Sequence, residues 1–142
     1  MAVNLNREQR DTLRFAALLD LSDVGSISRL LEKGKAAEAE RRRSRFEEDM
    51  RLLDDLGWEE LDDRRRFPLT MPEEQLEAVL RRLLGPAEEG LDCLGRELKV
   101  GRHPWQTADD YQHSTAAIRN EIDEELDVRS ACVSTLEALG AR

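Results

Sequence analysis

The chain has 142 residues, 39% hydrophobic and 37% charged, with a formal net charge of −9 and only 4% aromatics. That length fits one domain spanning 1–142, with apolar side chains enough for a core. The composition excludes a membrane-spanning helix, because no run approaches the ~18 apolar residues one needs, and the acidic balance opposes phosphate backbones and anionic membrane surfaces.

A first helix is predicted over residues 7–20, with Asn6 as its cap and Gln9 at capping-box spacing. Leu13, Ala16, Ala17 and Leu19 form a short apolar face. The stretch 21–25 (LSDVG) reads as a break, with Ser22 capping the next helix. That second helix is predicted over 26–56 as one uninterrupted rod of about 46 Å. Its ends are apolar and its waist (KGKAAEAERRRSR) is polar. One face runs through Leu31, Lys35, Ala39, Arg42, Phe46, Met50 and Leu53. Opposite charges at i,i+4 pair Glu38–Arg42, Arg43–Glu47, Arg45–Asp49 and Arg51–Asp55. Gly34 is its weak point, costing about 1 kcal/mol relative to alanine. Gly57 ends it.

Residues 58–69 read as a loop pinned by Trp58 and Phe67. Thr70 and Glu73 form a T-x-x-E capping box for a third helix, with Pro72 in its first turn. Apolar residues recur at 76, 79, 80, 83, 84, 87, 91, 94 and 98, which keeps one face in phase. Pro86 predicts a kink or short break beside Gly85. A loop at 101–106 (GRHPWQ) takes Trp105 as its anchor. The last helix is predicted over about 108–139, started by Thr107 with Asp110, its stripe passing through Tyr111, Thr115, Ile118, Ile122, Leu126, Val133, Leu136 and Leu139, with Arg129 interrupting. No alternating, strand-like run is apparent.

The chemistry-bearing residues are few. Cys93, His103, His113 and Cys132 are spaced C-x9-H-x9-H-x18-C, without the close ligand pairs of a zinc site. Asp110-x-x-His113 is a single pair where a di-iron bundle uses two Glu-x-x-His motifs. No cofactor is therefore expected. Glu121, Glu124 and Glu125 share a helix face, which reads as solvated, and the basic run 41–45 (RRRSR) reads as a salt-bridged face because residues 26–56 hold eight basic and eight acidic side chains. Two cysteines suit reduced thiols, and the N-terminus shows no apolar leader, so a cytoplasmic setting is expected. Nineteen arginines against three lysines suggest a GC-rich bacterial genome.

Residues 16–34 (AALLDLSDVGSISRLLEKG) resemble the helix-turn-helix of bacterial repressors. The resemblance places Ala16 between the helices, makes Ile27 the anchor of the recognition helix, and turns Ser26, Ser28, Arg29 and Lys33 toward DNA. Asp20 stands where that turn ordinarily carries glycine.

Together these features predict an all-α fold: an antiparallel helical bundle of four to five helices, coiled-coil-like in its shallow crossings, with long helices at 26–56 and 108–139. The expected role is non-catalytic: a protein-interaction or oligomerisation module, homodimeric through the second or last helix because so long a rod needs its apolar tips covered. Phe46, Met50, Leu53, Trp58, Ile118, Ile122 and Leu126 are its candidate partner contacts. The alternative is a DNA-binding transcriptional regulator built on 16–34. A helix unbroken past Gly34 favours the first reading. A short helix ending near Gly34, with Arg29 and Lys33 outward, favours the second.

Overall fold

A computed structural model of the chain describes residues 3–23 and 27–140. In chain order the described elements are β1 (Val3–Leu5), α1 (Arg7–Asp23), α2 (Ile27–Glu32), α3 (Ala36–Leu56), β2 (Phe67–Leu69), α4 (Glu73–Val100) and α5 (Ala108–Ala138). The all-α class holds, with α4 and α5 as the two long packed helices.

The first helix starts as its sequence dictates. Asn6 Oδ1 accepts from the Gln9 N–H at 2.8 Å, and Gln9 Oε1 accepts from the Asn6 N–H at 3.1 Å. It does not stop at residue 20. It runs on to Asp23, and the Ser22 hydroxyl donates back to the Leu19 carbonyl at 2.7 Å, so Ser22 closes this helix instead of opening the next.

The 26–56 rod is broken. After the short α2 the chain turns at Gly34, whose φ of +74° is natural only to glycine, and the Lys35 N–H bonds the Leu30 carbonyl. Of the expected i,i+4 pairs one forms, one shifts to i,i+3 on the same helix and two give way to tertiary partners. Glu38–Arg42 forms at 3.3 Å, but Arg43 pairs with Glu40, Arg45 with Asp20 on α1, and Asp55 accepts both the hydroxyl and the N–H of Thr70. Thr70 is not the cap either: α4 starts two residues further on, after Pro72, with no side-chain cap bond. Two short strands form where the sequence pattern predicts none. They pair antiparallel, Val3 with Leu69 and Leu5 with Phe67, too short to display an alternating pattern. They close the core at its base, with Leu5, Phe67 and Leu69 buried.

Helix α4 passes Pro86 without a break. The ring lies on the exposed side, and Leu83 and Ala87 flanking it stay in the core. The last helix keeps its predicted start: Thr107 and Asp110 form a capping box. The loop before it is held by Gln106, which bonds His103 in both directions, whereas Trp105 is 76% exposed and merely stacks on His103. Leu13, Leu52, Leu56, Leu76, Leu80 and Leu136 form the centre of the core.

Candidate interaction surface

The core uses only half of each long helix. Buried side chains on α4 end at Ala87, and those on α5 begin at Val128. Between them, residues 88–127 contain no fully buried side chain. They form an antiparallel two-helix arm about 20 Å long on the α4 side. Leu91, Leu94 and Leu98 on α4 and Tyr111, Ile118 and Ile122 on α5 are the apolar side chains of a seam that is only half-buried, with Leu98, Tyr111 and Ile118 lining one cavity. One pair of helices cannot enclose an apolar seam from all sides, which is why bundles add a third or fourth. Leu126 and Val100 are exposed outright.

The arm is also where the charge sits. Residues 88–127 hold four basic and eleven acidic side chains, a net −7 of the chain's −9. At its base Glu125 lies over Gly90, where an added Cβ would come within 3.3 Å of it. Burial, with Glu124 and Glu121 alongside, pushes the Glu125 carboxyl above its usual range. Glu121, Glu124 and Asp127 enter no salt bridge among the described residues. The reading of these acids as a solvated face therefore fits Glu121 and Glu124 but not Glu125.

A groove of about 270 Å³ opens beside this cluster. Its walls are Phe15, Ala16 and Leu19 from α1, Leu83, Pro86 and Ala87 from α4, and Glu124, Glu125 and Val128 from α5. A shallower one of about 280 Å³ continues it past Asp11 and Asp127. Phe15 and Leu19 are 47% and 50% exposed, so one α1 turn presents two large apolar side chains to solvent.

Beneath the groove lies a charge cluster that ties three helices. Arg82 on α4 donates to Asp49 at 2.6 Å and to Glu48 at 3.1 Å, both on α3. Arg45 clamps Asp20 with both Nε and Nη2. Burial and the adjacent Asp20 carboxyl push Asp49 up to about 7, while Arg45 and Asp49 bonding keeps Asp20 below its usual value despite its own burial. Asp49 Oδ2 is buried with no hydrogen-bond donor facing it among the described residues. A proton there makes it a donor, which relieves the penalty of a second buried charge. Sequence reasoning misses this set. Its one signal is Asp20 and Asp49 standing within the apolar faces of their helices.

A second unforeseen anchor is Arg10, fully buried. It donates to the carbonyls of Leu56, Gly57, Glu59 and Glu60 and lies 5.1 Å from the centroid of the Phe67 ring. It thereby neutralises the carbonyl end of α3.

The expected contacts are dispersed. Leu53 is fully buried in the chain's own core, so it is not offered to a partner. Phe46 and Met50 are each 36% exposed on α3. Trp58 is partly exposed and tied to Asp54 through its indole N–H. Ile118 and Ile122 belong to the half-buried seam, and Leu126 is exposed beside it. For the DNA reading, Ser28, Arg29 and Lys33 are exposed, and Ser26 lies outside the described residues. Cys93 is exposed on the arm while Cys132 is buried in the core, its thiol pushed up to about 12 by burial. His113 is exposed on α5 and His103 half-buried in the loop, so the four spaced residues do not gather. Among the described residues no helix is long and apolar enough to cross a membrane. Comparison with protein-family models, curated proteins and solved structures finds no match to the chain.

Proposed function

We propose that the chain is a non-catalytic protein-interaction or oligomerisation module of the cytoplasm, and that the α4–α5 arm is its working surface. One observation carries this reading: an acidic, half-buried helical pair with no third element over its seam among the described residues. Apolar area left open in this way gains about 25 cal/mol per Å² when a partner covers it. The length of an unbroken 26–56 rod no longer argues for a dimer, since Gly34 divides it.

The test is affinity capture from the native cytoplasm with the full chain, run beside a Leu126→Asp, Ile122→Asp variant. Proteins retained by the wild type and lost by the variant support the reading. Equal capture by both, or none by either, overturns it.

The DNA-binding reading has one observation in its favour. Helix α2 ends at Glu32, the chain turns at Gly34, and Arg29 and Lys33 are exposed. Against it, α2 has six residues, under two turns, and α1 continues to Asp23 where a turn was expected. Duplex DNA binding that weakens steeply with salt would place this reading first.

A further inference from the structure

The charge of this chain is segregated. Residues 27–45 hold seven basic and three acidic side chains, a net +4, against −7 on the arm. Within that basic stretch Lys33, Lys35 and Arg41 are exposed and enter no salt bridge among the described residues. Beside them Leu31 is 50% exposed. On the arm, Glu121, Glu124 and Asp127 likewise enter none, next to a groove that exposes Phe15 and Leu19. One chain thus carries both halves of a complementary surface: cations beside an aliphatic side chain, and acids beside an apolar groove.

We propose that a second copy of this chain is the occupant of the groove: Lys33, Lys35 and Arg41 of one copy face Glu121, Glu124 and Asp127 of the other, and Leu31 enters between Phe15 and Leu19. This rests on the reading of the arm as an interaction surface. The contact is reciprocal. Under a two-fold axis the same pair of patches meets twice, which closes the assembly at two copies instead of propagating it. Pairing arm to arm is opposed by −7 on each. The opposed charges also set the salt response, because exposed pairs are screened within about 8 Å at physiological ionic strength.

Charge reversal tests this directly. Sedimentation equilibrium of the full chain is run across micromolar concentrations at low and high salt. The expected result is a two-chain mass at low salt that falls toward the single-chain 16.3 kDa at high salt. An arm variant (Glu121→Lys, Glu124→Lys) and a basic-stretch variant (Lys33→Glu, Lys35→Glu, Arg41→Glu) should each weaken self-association at least tenfold. Helicity by circular dichroism confirms that both stay folded. An equimolar mixture of the two restores both contacts, one in its native sense and one with its signs exchanged, so the two-chain mass returns. A wild type that sediments as one chain at every salt, association that survives either reversal, or a mixture that stays monomeric overturns the proposal. Duplex DNA binding by the basic stretch, without self-association, overturns it in favour of the nucleic-acid role. A monomeric wild type that still captures arm-dependent partners defeats only this inference and leaves the interaction reading standing.

Discussion

Asp49 is fully buried, bonded to Arg82 through one oxygen and, among the described residues, met by no donor on the other. Its carboxyl holds a proton up to about 7, chiefly through burial. The folded chain therefore keeps a proton that the unfolded chain releases near 3.8, and stability falls as pH rises between those values. Asp20 works in the opposite sense: its lowered value adds stability above 3.8, which is lost as the pH drops below that. Asp49→Asn retains an acceptor for Arg82 and supplies a donor toward Asp20 without a charge. Urea unfolding of this variant should show a flatter pH profile between about 4 and 7, and less loss by about pH 8, on the order of 1–2 kcal/mol. A profile parallel to the wild type would show that Asp49 does not titrate in that window.

At the scale of the element, two glycines end or divide helices for different reasons. Gly34 has φ +74° and open space around it. Gly57 has φ +86°, and a Cβ there would lie 2.7 Å from Asp62 Oδ2, 2.8 Å from Arg64 Nη2 and 3.2 Å from Arg10 Nη2. Thermal unfolding should therefore separate them. Gly34→Ala should cost about 1 kcal/mol, from backbone conformation alone. Gly57→Ala should cost about 2–3 kcal/mol, because the strained φ is joined by collisions with the Asp62–Arg64 pair and a tight contact with the buried arginine that holds the α3 terminus. The helix starts differ for a related reason. Asn6–Gln9 and Thr107–Asp110 form their boxes; Gln9 gives its amide N–H to Ser134 and still accepts from the Asn6 N–H through Oε1. Thr70 shows the same spacing, yet Asp55, fifteen positions earlier, takes both its donors. Local rules fail where a distant carboxylate offers a better bond.

Across the whole molecule, stability should be graded along the long helices. Residues 73–87 and 128–136 pack into the core, while 88–127 pack only as a pair without a buried side chain. Amides of the arm should exchange with solvent well before those near Leu52, Leu80 and Leu136. In the same way, Leu80→Ala should cost about 2–5 kcal/mol and Leu94→Ala less than half of that. Uniform exchange along α4 would contradict this gradient.

Legible along the chain were the mainly helical class, the caps at Asn6 and Thr107, the stop at Gly57, the apolar stripe of α4 through Leu83 and Ala87, and the acidic balance. Each is set by side-chain spacing or by one residue's backbone freedom, which are properties of neighbours in the chain. Tertiary structure alone decided which half of each stripe was covered. The apolar spacing of Leu76 and of Leu94 is the same, but only Leu76 lies in the buried core cluster, on the half of α4 that packs against α3. It also decided the fate of the charges. Arg10, Asp20, Asp49 and Arg82 have the composition of surface residues, and they became internal struts because helices distant in sequence brought their partners to within bonding distance.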